Sequence, residues 1–371
     1  MKKSKVSIRM KRFVKFFGVA LAALTVVMSG VAPVSAQGSL NQGNDGSSGL
    51  SITPKKNYVL EPGKSVTDKL SITNLDRQHD LLVTMRPVDF TFMDDTGSPK
   101  LILAQDAEPT TWSLKPFMNL PQTVTIPKGG SKTVDMKISV PVGQGAGSYY
   151  SAIVYTASGT NGGNVSINAS GVTLAFLNIP GVVNEKMSIQ KFGAFTFDKS
   201  GNTGKYVFIA ADKAPDSLSY ALKNEGNVAE NPSGSIILKN MFGKTVKTFD
   251  NANPRGSLAL IGQTRRFDAC INPSQKKIEL ENQATAVRDT SCNPPSLMPG
   301  RYTASLDVFY GQNGNPTHEI TAVASFWYLP LWFIIAVIVA ILIIAYIIWR
   351  IVRKIKGSDA RPSFRLSKKK R

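Results

Sequence analysis

Histidine and cysteine are nearly missing from this chain: its 371 residues include two of each, His79, His318, Cys270 and Cys292. Two cysteines and two distant histidines do not make a tetrahedral zinc set, and no metal site or cofactor is expected. Neither histidine stands beside a serine or cysteine in a nucleophile motif, and both fall among polar turn residues. No GxSxG, HExxH, Walker or GxGxxG stretch occurs in a strand-to-helix context, so no catalytic residue is assigned and the chain is not expected to be an enzyme. Acidic residues are absent from residues 1–36 and number one in residues 350–371, against seven and ten Lys or Arg in the same segments. The formal charge of +19 therefore sits almost wholly at the ends, and the body between them carries only +3. So balanced a body presents no general field for duplex nucleic acid, and no nucleic-acid partner is expected.

The ends read as addresses. A basic start, MKKSKVSIRMKRFVK, is followed by an apolar run over 16–28 and by Val34, Ser35 and Ala36 before Gln37. This is the pattern of a secretory signal peptide over 1–36, cleaved between Ala36 and Gln37, with an uncleaved anchor as the alternative. At the other end, residues 326–349 hold no charged side chain, and this run of 24 exceeds the roughly 20 residues that cross a bilayer as helix. Aromatic residues cluster at both of its edges, and the basic tail over 350–371 predicts a cytoplasmic C-terminus with the body outside the plasma membrane.

Between these ends the pattern is β throughout. In KTVDMKISVP, Val134, Met136, Ile138 and Val140 alternate with polar residues, and Tyr302, Ala304, Leu306, Val308 and Tyr310 do the same in RYTASLDVFYG. Further strands are expected near 69–74, 81–92, 148–156, 172–177, 206–210, 217–223, 235–238 and 320–325, separated by Gly, Pro, Asn and Asp turn signals. A weak repeat runs through them. LSITN ends at Asn74 and YALKN at Asn224; Gly147-Ser148-Tyr149 and Gly300-Arg301-Tyr302 each open a later strand, 73 and 76 residues on. The expected fold class is all-β, with two tandem immunoglobulin-like sandwiches over 48–183 and 184–325, a linker over 37–47 and one C-terminal transmembrane helix.

The opening LSITPKKNYVLEPGKSVTDKLSITNLD resembles exported immunoglobulin-like modules of the pilus-chaperone type. FTFMDDTGSPKLI, Trp112, PKGGSKTVDMKISVP, GSYYSAIVY, LKNEGNVAENPSGSIILKNMFGKTV and GRYTASLDVFYG, in that order before a helix and a basic tail, resemble the WxL-interacting surface proteins of Gram-positive bacteria. That resemblance implies a peptidoglycan-binding first domain and a partner-binding second one. The long polar stretch between Cys270 and Cys292 departs from the family pattern.

Export favours oxidation, so a Cys270–Cys292 disulfide across 22 residues is expected rather than two free thiols. Asp94 and Asp95 in the DDTG stretch suit a hairpin turn better than a calcium site, which needs six or more oxygens. For a sugar-stacking platform the candidates are Trp112 and Tyr149 or Tyr150, one of which faces outward in a regular strand; core packing is the favoured reading for Trp112 and for one of the two tyrosines. Binding to peptidoglycan or to another surface protein, and adhesion with it, is the leading expectation. A membrane-tethered chaperone or scaffold that lends a strand edge to exported subunits is the second.

Overall fold

The computed structural model describes residues 49–104, 106–159, 169–198, 201, 203–279, 285–311 and 317–356. The signal peptide with its Ala36–Gln37 cleavage, the 37–47 linker and the tail beyond Lys356 lie outside the described residues.

Ten strands build the first sandwich: β1 (Leu50–Ile52), β2 (Lys55–Val59), β3 (Ser65–Asn74), β4 (Leu81–Phe92), β5 (Pro99–Ile102), β6 (Met118–Asn119), β7 (Thr123–Ile126), β8 (Ser131–Ser139), β9 (Gly147–Gly159) and β10 (Ala169–Ile179). One sheet runs β1-β3-β8-β6; the other runs β2-β10-β9-β4-β5, with β7 also on β4. The chain changes sheets at its start, β1 lying antiparallel to β3 and β2 parallel to β10. Val134, Met136, Ile138 and Val140 point into the core as their alternation predicts, joined by Leu70, Ile72, Ile153 and Tyr155. Each fully buried aliphatic side chain of this kind contributes about 1.5–3 kcal/mol.

The second sandwich uses β11 (Met187–Phe197), β12 (Gly204–Tyr206), β13 (Ile209–Ala210), β14 (Ser217–Asn224), β15 (Ser233–Asn240), β16 (Thr245–Phe249), β17 (Thr264–Cys270), β20 (Gly300–Tyr310) and β21 (His318–Tyr328). Its sheets run β12-β11-β14-β17 and β13-β21-β20-β15-β16, and β13 again pairs in parallel with the last strand. The plan of the first sandwich is thus repeated. The polar stretch before Cys292 is a hairpin, β18 (Pro273–Glu279) against β19 (Thr285–Cys292), with Pro273 opposite Cys292. Cys270 and Cys292 form the disulfide at its base, their Cα atoms 5.2 Å apart.

The sequence repeat marks two matching devices. Asn74 and Asn224 are buried at the ends of β3 and β14. Asn74 donates to His79 O and Pro127 O and accepts from Asp76 N–H; Asn224 donates to Val228 O and Ala259 O and accepts from Gly226 N–H. Each amide thereby pairs backbone groups of two loops that no strand serves. Tyr149 and Tyr302, two residues into β9 and β20, each donate a hydroxyl to a carbonyl four residues back, Gly145 O at 2.9 Å and Met298 O at 2.7 Å. These are tyrosine corners, which pin the entry to a sandwich strand.

The last strand runs farther than the apolar pattern suggested. Phe326, Trp327 and Tyr328 pair with Tyr302, Arg301 and Gly300, so they belong to the sheet and not to the helix. Pro330 has no N–H to donate, and its carbonyl accepts the first helical bonds from Phe333 and Ile334. The helix spans Leu331–Lys356, and the most apolar 18 residues of its stretch Leu331–Lys354 have a mean hydropathy of 3.2, apolar enough to cross a membrane.

Candidate functional site

The three aromatic candidates are placed by the periodicity of β9. Tyr150, Ala152 and Val154 face away from the first core, onto a separate cluster with Val88, Phe90, Phe176 and Leu260. Leu260 belongs to the second sandwich, so the outer face of the first is covered by a loop of its neighbour. Tyr150 is 0% exposed and lies 5.3 Å from the Phe90 ring, and Trp112 stacks on it at 6.0 Å. A ring with no exposed surface is no platform for a sugar: Tyr150 belongs to a joint. Tyr149 points the other way, packs edge-on to Phe117 at 5.4 Å and makes the corner described above. Trp112 and Tyr149 are each half-buried.

Polar contacts complete the joint. Phe92 N–H donates to Gln263 Oε1 at 2.8 Å, Ser148 N–H to Asn227 O at 3.0 Å and Ala229 N–H to Ser148 Oγ at 2.9 Å. Asp95, in the turn between β4 and β5, accepts from Arg266 twice: at its backbone carbonyl, 2.7 Å, and at its carboxylate, 3.1 Å. Arg266 also meets Asp268 at 3.0 Å and lies over the Phe195 ring at 4.4 Å. The DDTG stretch is therefore a hairpin turn with a task. Asp94 accepts from the Thr96 hydroxyl and N–H, which hold its carboxyl below the usual range, and Asp95 clasps the second sandwich. Gly147, with φ +145, sits so close to Asn227 O that a Cβ would fall 2.8 Å from it, so the two backbones meet only because that residue has no side chain.

Behind the joint is a buried acid. Glu230 is 2% exposed, bridges by its backbone to Ala259, and accepts from Gly311 N–H at 3.2 Å. Burial, then the nearby Glu185 carboxylate, pushes it up from 4.5 to about 7.

An open groove of about 420 Å³ lies beside the joint on the first sandwich, lined by Arg86, Pro87, Val88, Ile102, Ala104, Pro109, Lys115 and Pro116. β4 supplies Arg86 to Val88, β5 supplies Ile102, and the single-turn helix Lys115–Phe117 supplies the second cation. Buried Asp89 holds the far wall in place, accepting from Thr110 N–H at 3.0 Å, Ser113 Oγ at 2.6 Å and Ser151 Oγ at 3.0 Å. Arg86 donates to Leu103 O at 3.1 Å, which leaves the rest of its fork toward the groove. Among the described residues its lining offers two cations, which suit anionic groups, and proline faces, which suit apolar ones. Arg86 and Lys115 were not visible as a pair in sequence, because 28 intervening residues and a turn of helix separate them.

No family model matches the chain, and no curated protein matches it in sequence. Solved structures similar to it include the class 5 fimbriae chaperone CfaA, at 11% identity and a TM-score of 0.34, covering 74% of this chain and 98% of that one. The E. coli chaperone DraB is similar at 13% identity and a TM-score of 0.31, covering 66% and 98%. So is a structure of the Salmonella enterica SafA pilin in complex with the SafB chaperone, at 9% and 0.31, covering 75% and 97%.

Proposed function

We propose that this is a membrane-anchored, non-catalytic surface protein of the WxL-interacting kind, which holds cell-wall peptidoglycan or a surface protein of a Gram-positive envelope in the groove of its first sandwich. The observation that carries this reading is the groove itself, with Arg86 and Lys115 set in apolar walls. Peptide stems of wall polymer offer carboxylates for the two cations and an extended apolar backbone for the prolines. The helix then tethers the body, and the basic residues that follow it keep the tail in the cytoplasm. Purified residues 37–329 should pellet with isolated peptidoglycan or capture a defined surface protein, and the double variant Arg86→Ala, Lys115→Ala should lose most of that binding. A parent protein that binds neither overturns the proposal.

A second reading rests on a different observation. Among the described residues, only Ile209 and Ala210 pair with the outer edge of β21, at Trp327 and Tyr328, so the edge from His318 to Phe326 is open to an added strand. As a scaffold or chaperone the protein would lend this edge to an exported subunit. The N–H of Trp327 points outward to Phe208 O, and by the strand period that of Val323 does too. Val323→Pro would then remove an outward donor without touching the β20 ladder, and should abolish co-purification of such a subunit; undiminished capture would dismiss this reading.

A further inference from the structure

One end of the second sandwich gathers exposed apolar side chains that no core requires. Phe242 is 86% exposed, Met298 77%, Phe208 64%, Ile209 58% and Met241 52%. They come from three separate segments, and register puts all three at the end where the chain leaves for the helix. Asn240 pairs with Tyr302, which pairs with Phe326, so Met241 and Phe242 extend past Phe326 in the direction of the helix. Gly300 lies opposite Tyr328, and Met298 stands two residues farther along the same path. Ile209 lies beside Trp327, with Phe208 next to it. The tip and the 298–300 loop face each other across a shallow hollow, where the Met241 thioether lies against Gly300.

Two residues separate Tyr328 from Leu331, the first residue of the helix, and the three Cα–Cα steps between them reach at most about 10 Å when extended. Headgroup layers are about 5–8 Å deep on each side of the hydrocarbon. If Leu331 marks the bilayer edge, the rim is therefore at headgroup height. Its charges match that position. Segments 208–213, 239–246 and 296–302 contain Lys213, Lys239, Lys244 and Arg301 against one acidic residue, Asp212, and Lys239, Lys244 and Arg301 are exposed. Exposed Trp332 lies one residue into the helix, where an indole serves as an interfacial anchor.

We infer that this rim, formed by Phe208, Ile209, Met241, Phe242 and Met298, seats itself in the headgroup layer of the membrane that the helix crosses, so that the second sandwich is held against the lipid surface. The occupant is the anionic bilayer of the protein's own anchor: continuity with the helix fixes the distance, and the three cations complement acidic headgroups. The inference rests on the anchoring part of the proposed function.

The test uses the full chain in vesicles of equal parts phosphatidylglycerol and phosphatidylcholine, with a nitroxide placed by Phe242→Cys, Met298→Cys, Val182→Cys or Ile338→Cys. Val182, 99% exposed between the sandwiches, reports water, and Ile338 reports the helix. Labels at 242 and 298 should be several-fold less accessible to an aqueous nickel relaxant than the label at 182, while oxygen reaches them more readily. Labels at 242 and 298 as open to nickel as at 182, with 338 shielded, would overturn the rim while leaving the anchor intact. A label at 338 open to nickel would overturn both.

Discussion

The two sandwiches share a plan and differ in what they do with the same strand. In β20 of the second, Tyr302, Ala304, Leu306, Val308 and Tyr310 face the core, and Arg301, Thr303, Ser305 and Asp307 face outward. In β9 of the first, Tyr149, Ile153, Tyr155 and Ala157 face the core, yet Tyr150, Ala152 and Val154 on the other side are apolar as well. A strand that alternates borders water on one face; a strand that does not is covered on both. The lesson is that the run YYSAIVY marks a surface of the first sandwich that the second one closes.

The sharpest way to break this contrast is to empty the joint. Tyr150→Ala should cost about 3–5 kcal/mol in denaturant unfolding, whereas Thr303→Ala, on the outer face of β20, should stay within about 0.5 kcal/mol. Equal effects would mean that the joint is not a core. Removing the disulfide by Cys270→Ser with Cys292→Ser should cost about 3 kcal/mol, as expected for a closed loop of this length. Because the joint couples the halves, that loss should shift a single transition seen by fluorescence and circular dichroism alike. Two transitions, of which one moves, would show that the sandwiches unfold separately.

Glu230 makes the comparison depend on pH. Its value in the fold, about 7, lies above the ordinary 4.5, so the fold favours the protonated form. The cost of ionising it is present in full above about pH 7, shrinks as pH falls from 7 toward 4.5, and vanishes below that. Glu230→Gln should therefore be more stable than the parent by up to about 3 kcal/mol at pH 8 and equal to it at pH 4, read from paired melts. A gain independent of pH would point to packing instead. A smaller effect than these should fall on the two tyrosine corners. Tyr149→Phe and Tyr302→Phe each lose one hydroxyl bond, about 1 kcal/mol apiece, and a marked inequality between them would weaken the equivalence of the two halves.

Much of this fold was legible in the sequence. The strand expected over 81–92 is β4, and the alternating runs around Val134 and Leu306 face inward as read. The helix start was misplaced because Phe326, Trp327 and Tyr328 are apolar for one reason and the residues after Leu331 for another, and nothing polar parts them. The joint escaped because a face apolar on both sides looks the same whatever covers it, and because Asp95 and Arg266, partners in space, stand 171 residues apart. Of Tyr149 and Tyr150, strand alternation assigns one to the core and offers the other to a sugar. One is roofed by the second sandwich and the other tied to Gly145, and no single-strand pattern distinguishes those fates from exposure.

The short passage from β21 to the helix has a mechanical consequence. Only Leu329 and Pro330 intervene, so there is no slack to absorb a pull between the first sandwich and the helix. Tension leaves the body along β21, whose eleven residues are all paired with β20, so the ladder is loaded in shear, with every rung sharing the force. A zipper opened rung by rung yields far more easily. Stretched between the two sites, the protein should behave as a stiff strap, and single-molecule pulling would register its failure as one abrupt release.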